Sequence, residues 1–148
     1  MKRFKMVDIS NKDEVFREAT VIGRIKLRPE TIKLISDGKV EKGDPLAVAE
    51  VAAILSAKNT PQIIPFCHPI PISNVQTEAE IHENYIEVEI SVRSSAKTGV
   101  EMEALVAAST YLLTIWDMVK KVEKDADGQF PETSIETIRV TEKKKAKT

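Results

Sequence analysis

From Ala104 to Trp116 the chain runs for 13 residues without a charge, and no other stretch limits its folds so strongly. Glu101-Met102-Glu103 precedes the run, and Asp117, Lys120 and Lys121 follow it. Acids suit the positive end of a helix dipole and lysines the negative end. The segment Lys97 to Lys121 therefore reads as one helix, entered through the turn Lys97-Thr98-Gly99. Spanning a bilayer takes about 20 apolar residues, so this helix belongs in a core. At roughly 100° per residue, Glu103, Thr110, Thr114, Asp117 and Lys121 fall near one line. A carboxylate beside lysines at the end of an apolar run suits a proton-transfer site. A salt-bridged acid at the frayed end of a core helix explains the same residues.

The segments around this helix alternate in type. Ala19, Val21, Gly23, Ile25 and Leu27 share one face of a strand within Arg17 to Leu27. Pro29 opens a short helix and Gly38 closes it. Asp44 caps a helix that starts at Pro45 and ends near Lys58, and Thr60-Pro61 adds one turn. Ile63 to Pro69 is apolar and pinned by prolines, hence rigid and irregular. Ile72 to Ile81 and Tyr85 to Ser94 form a hairpin, and Ile135 to Val140 a last strand. Residues 1–11 read as an extended arm and 141–148 as a solvated basic tail. Without the short first helix the order is strand, helix, strand, strand, helix, strand. That predicts one α+β domain over residues 1–148, ferredoxin-like, with an antiparallel sheet and helices on one face. Both long helices are apolar around more of their girth than one sheet face needs, which predicts a homo-oligomer.

Charge and cysteine content exclude several functions. The net charge is −1 over 148 residues, with no basic excess for nucleic acid. An RNA-recognition domain needs stacking aromatics on its central strands, and this hairpin offers only Tyr85. The single cysteine forbids an internal disulfide and points to a reducing cytoplasm. There is no apolar leader, and no membrane partner is expected.

Two helix mouths carry Lys-Gly pairs: Lys42-Gly43-Asp44 and Lys97-Thr98-Gly99. Backbone N–H groups and a lysine together favour anions, and Arg17, Arg24 and Lys58 also fall near element ends. A phosphorylated small molecule fits this pattern, and so do solvated loop lysines. Cys67-His68 is a poor metal site, because one Cys and two His cannot close a zinc shell. Adjacent residues in an extended segment point opposite ways, which argues against a Cys-His nucleophile pair. His68, fixed by Pro69, is either a ligand contact or a structural histidine.

KGDPLAVAEVAAILSAKNTPQIIPFCHPI and KTGVEMEAL…LTIWDMVK closely resemble the motifs of the cyclic pyranopterin monophosphate synthase family, molybdenum-cofactor biosynthesis protein C. MVDIS near the start and IRV near the end fit as well. The resemblance implies a ferredoxin-like lyase that assembles as a hexamer, a trimer of dimers with sites at the dimer interface. Its implied substrate is 3′,8-cyclo-7,8-dihydro-GTP, supplied by a radical SAM GTP cyclase. The implied products are cyclic pyranopterin monophosphate and pyrophosphate. The resemblance makes Asp117, Lys120 and Lys42 catalytic. It makes Phe66, Cys67, His68, Glu101, Met102, Glu103, Arg17 and Lys143 substrate-binding. It implies no metal site and no cofactor, although Mg²⁺ is compatible with the triphosphate. Helix geometry puts Lys121 on the polar line, whereas the motif selects Lys120. Departures from the family pattern include Ala96, Trp116, Glu50, Ala53, Val15 and the C-terminal Lys-Lys-Ala-Lys. The alternative is a ferredoxin-like nucleotide- or phosphate-binding module without catalysis.

Overall fold

A computed structural model describes residues 3–146. The elements are β1 (Val15–Lys26), α1 (Pro29–Ser36), α2 (Pro45–Lys58), α3 (Thr60–Ile63), β2 (Asn74–Ile81), β3 (Tyr85–Ala96), α4 (Glu101–Glu123) and β4 (Ser134–Ala146). The sheet order is β2-β3-β1-β4, and every pairing is antiparallel. This is the α+β, ferredoxin-like arrangement that the alternation of elements predicts.

Each face of the sheet follows from the period-2 pattern of its central strands. Ala19, Val21, Ile25 and Leu27 are buried beneath the helices, as are Ile86, Val88, Ile90 and Val92 of β3. The alternate residues of β1 and β3 face away from the helices and pair across the strands: Glu18 with Arg93, Thr20 with Ser91, Arg24 with Glu87. Gly23 lets α4 lie close to β1, since a Cβ there would sit 2.9 Å from Leu112 Cδ1. On α2, Ala49, Ala53 and Ala57 recur every fourth residue and are fully buried, which allows close packing on α4. The other side of α2 exposes Val48, Val51 and Leu55.

By length and composition α4 would pass for a membrane span, yet 56% of its apolar window is buried against the rest of the fold. It is a core helix, as the charge-free run predicts. Its far end is anchored by Glu123, which is fully buried and accepts from Arg28 N at 3.1 Å, Thr133 Oγ1 at 2.6 Å and Thr31 Oγ1. Those partners satisfy a carboxylate that would otherwise be costly to bury.

Caps fall where the sequence puts them. Asp44 Oδ1 accepts from Leu46 N and Ala47 N, and Gly38 takes the left-handed φ of 67° that ends α1. Several boundaries move. β1 begins at Val15, four residues before its alternation becomes clear, because it is paired with β3 from Val15 and with β4 from Phe16. β2 begins at Asn74 rather than Ile72, and β3 continues to Ala96. α4 continues past Lys121 to Glu123. The basic segment from Thr141 to Ala146 is strand, not solvated tail, because the long β1 gives it a partner as far as Phe16 opposite Ala146. Residues 1–2 of the arm and 147–148 of the tail lie outside the described residues.

Candidate active site

The candidate residues collect at the two ends of α4. At the C-terminal end, Gly43 takes a φ of 116°, which turns the chain into α2 and leaves Lys42 over α4. Lys42 Nζ donates to Asp117 O at 3.0 Å and lies 3.5 Å from Asp117 Oδ2. Lys120 Nζ is 3.2 Å from Asp117 Oδ1, one helical turn away. Lys121 turns elsewhere and pairs with Glu41 at 2.9 Å. Of the two lysines, Lys120 is the one that meets the acid. The hydrogen bond from Lys120 and the charge of Lys42 hold the Asp117 carboxyl below its ordinary range. Asp117 is not buried: its side chain is 61% exposed in the protomer, and the helix continues beyond it. Beside it, Leu113, Trp116, Lys120 and Ile135 line an open cavity of about 360 Å³.

The polar line along α4 has a partial explanation within the helix itself. Thr114 Oγ1 donates to Thr110 O at 2.7 Å, so the Thr114 hydroxyl is satisfied on the helix backbone.

The N-terminal end has the opposite character. Glu103 is 1% exposed, and its Oε1 has no partner among the described residues. Cys67 Sγ donates to Glu103 Oε2 at 3.4 Å. Burial pushes the Glu103 carboxyl up. Burial, then the nearby Glu103, push the Cys67 thiol to about 11. Such a thiol stays protonated at neutral pH, so Cys67 can donate a hydrogen bond but is a poor nucleophile. Lys143 Nζ lies 3.4 Å from Glu101 Oε2. A Cβ at Gly99 would meet the Glu101 carboxylate, which would have to move aside. Arg17 Nε donates to Ala96 O at 3.1 Å. Arg17, Lys143 and Lys145 lie on the helix side of β1 and β4, around the first residues of α4. Met102 is half-buried on that turn, and Phe66 is 47% exposed.

Fourteen residues separate Glu103 from Asp117, which is about 21 Å along the helix axis at 1.5 Å per residue. Within one protomer the eleven candidates therefore form two clusters, not one pocket. Arg24, expected near an anion site, lies on the outer face of the sheet, paired with Glu87 at 3.0 Å and stacked over Tyr85. Sequence reasoning missed the N-terminal arm, which lies on the Phe66–His68 segment. Phe4 stacks on Phe66 with ring centroids 5.7 Å apart, and His68 Nε2 meets Val7 O at 2.7 Å. The signal available was Asp8-Ile9-Ser10, a spacing that favours an Asx turn.

Fold and clusters define an α+β protein with acids and lysines at both ends of one core helix. The profile of the MoaC family matches residues 6–146, and the chain belongs to that family. A relative from Pyrococcus abyssi, named "Probable cyclic pyranopterin monophosphate synthase", is 59% identical over 142 residues, covering 96% of this chain and 89% of its own. A relative of the same name from Sulfurisphaera tokodaii is 57% identical over 143 residues, covering 97% and 95%. One from Methanothermobacter thermautotrophicus, 52% identical over 97% of this chain and 91% of its own, is named "Probable cyclic pyranopterin monophosphate synthase accessory protein". Among solved structures, the ferredoxin protease FusC in complex with Arabidopsis ferredoxin matches 72% of this chain and 11% of its own. Its TM-score of 0.35 and 13% identity bear on neither fold nor function.

Proposed function

We propose that this protein is a cyclic pyranopterin monophosphate synthase, a lyase of molybdenum cofactor biosynthesis. It converts 3′,8-cyclo-7,8-dihydro-GTP to cyclic pyranopterin monophosphate and pyrophosphate. The observation that carries the reading is Asp117 held between Lys42 and Lys120 in a chain 59% identical to a protein named as that synthase.

The chemistry suits these groups. Rebuilding a purine-derived ring as a pterin takes repeated proton transfers. Asp117, kept ionised by two ammonium groups, is a proton acceptor, and the lysines are donors. Cyclising a hydroxyl onto the α-phosphorus forms one P–O bond and breaks another, and pyrophosphate leaves. Positive charge from Lys42, Lys120, Arg17 and Lys143 stabilises that leaving group. Phe66, Cys67 and His68 form a wall for the pterin, and Met102 with Glu101 and Glu103 forms its edge. The reading calls for no resident cofactor, and any Mg²⁺ arrives with the triphosphate as part of the substrate.

A second copy completes the site. Two copies paired antiparallel bring the Glu103 end of one α4 beside the Asp117 end of the other. The exposed Val48, Val51, Leu55 and Leu113 supply apolar surface for such contacts. The assembly is a homohexamer, a trimer of dimers, working in the cytoplasm downstream of a radical SAM GTP cyclase. The test is pyrophosphate release from purified 3′,8-cyclo-7,8-dihydro-GTP. Release by the wild type, lost in folded Asp117→Asn, supports the synthase. No release from a folded wild type overturns it and leaves phosphate binding without catalysis.

A further inference from the structure

Met6-Val7-Asp8-Ile9-Ser10 belongs to the sequence match, yet no assigned site residue lies in it. The structure gives this segment three fastenings. Val7 O lies 2.7 Å from His68 Nε2. Asp8 Oδ1 accepts from Ser10 N at 2.8 Å and Ile9 O accepts from Lys12 N at 3.0 Å, which folds the arm into a turn. Ser10 O accepts from Lys97 Nζ at 3.4 Å. Further out, Phe4 stacks on Phe66. The arm thus ties the Phe66–His68 segment to the turn that opens α4, and a cavity of about 420 Å³ lies between it, His68 and Lys97.

The Val7 contact fixes the chemistry of the imidazole. A backbone carbonyl can only accept, so the proton of that bond sits on Nε2. The neutral ring then has Nδ1 as its one acceptor. Histidine tautomers at functional sites are commonly set in this way, by the partner of the other ring nitrogen. A backbone partner also survives any change of side chain at residue 7, so only moving the arm removes it.

We propose that Met6–Ser10 is a positioning strap. Its Val7 carbonyl holds the His68 ring in the Nε2–H tautomer and leaves Nδ1 as the hydrogen-bond acceptor offered to the substrate. The inference rests on the synthase reading for the role of His68, but the tautomer does not depend on it. The strap acts through His68 and does not itself react.

The test compares the full chain with a chain beginning at Asp8, by ¹⁵N NMR of His68 and by kcat and KM for pyrophosphate release. The full chain is expected to show a protonated Nε2, an unprotonated Nδ1 and slow exchange of the Nε2 proton with water. The shortened chain, with assembly and melting preserved, is expected to exchange that proton at least about tenfold faster. Its kcat should fall about tenfold while KM changes less, because a misaimed group costs turnover more than binding. A protonated Nδ1 in the full chain, or an unchanged kcat in a folded shortened chain, overturns the strap. Should the shortened chain fail to assemble, Asp8→Ala in the full chain undoes the turn instead. Faster Nε2 exchange is then expected, and unchanged exchange overturns the proposal. A wild type that releases no pyrophosphate removes the synthase reading, and the NMR comparison still decides the strap.

Discussion

The two ends of α4 use the same residue types to opposite effect. At the N-terminal end Glu103 is buried against a thiol, and burial raises its affinity for a proton. At the C-terminal end Asp117 is exposed between two ammonium groups, and they lower it. A carboxylate is made more or less basic by its surroundings and not by its place on a helix. One helix thus presents a carboxyl that holds a proton more tightly at one end and a carboxylate kept ionised at the other, about 21 Å apart. In the proposed reading a second copy brings the two ends together.

Breaking the C-terminal end should have the largest effect. Asp117→Asn keeps shape and removes the base, and turnover should fall by about 10²- to 10⁴-fold with melting little changed. Lys42→Ala should fall comparably, and pyrophosphate release by each folded variant checks both. Lys120→Gln against Lys121→Gln sharpens the geometry. Lys120 meets Asp117 while Lys121 meets Glu41, so only the first should cost activity beyond about twofold.

The N-terminal end predicts an effect on reactivity. With its thiol near 11, Cys67 should alkylate slowly at pH 8, and the rate should keep rising with pH toward that value. Glu103→Gln removes a negative charge that opposes the thiolate, so the same reagent should react faster at pH 8. A rate like that of a free thiol in the wild type would contradict the burial described for this end. The smallest effect expected lies between the two ends. Gly23→Ala pushes a Cβ to 2.9 Å from Leu112 Cδ1, and chemical denaturation should show a loss of about 1 kcal/mol as that side chain shifts.

Much of the architecture was legible because it rests on local rules. Period-2 alternation gave the core face of β1 and marked β2 and β3 as a hairpin. Pro29, Asp44-Pro45 and Gly38 marked helix ends through φ restriction and capping. The charge-free run identified the core helix. What stayed hidden depends on distant partners. Thr141 to Ala146 looks like a solvated tail until the long β1 is seen beside it. The helical wheel favoured Lys121 because it ignores side-chain reach and the competing Glu41. Most candidate residues came from the family resemblance, since the residues alone gave two lysine-bearing helix mouths, Asp117 at the end of the apolar run and His68. That Glu103 and Asp117 sit at opposite ends of one helix was legible from their spacing, but that Phe66–His68, Arg17 and Lys143 gather at the Glu103 end was not, because motif order along a chain carries no distances between elements.

The most direct measurement mixes two variants each expected to be inactive alone, Asp117→Asn and Glu103→Gln, after dissociation and reassembly. If each site takes its two halves from different copies, a mixed dimer holds one intact site and one doubly damaged site. Random reassortment should then restore about a quarter of wild-type pyrophosphate release. Restoration near that level is the predicted result. Two folded, reassociating variants that stay as inactive together as apart would contradict a site shared between copies.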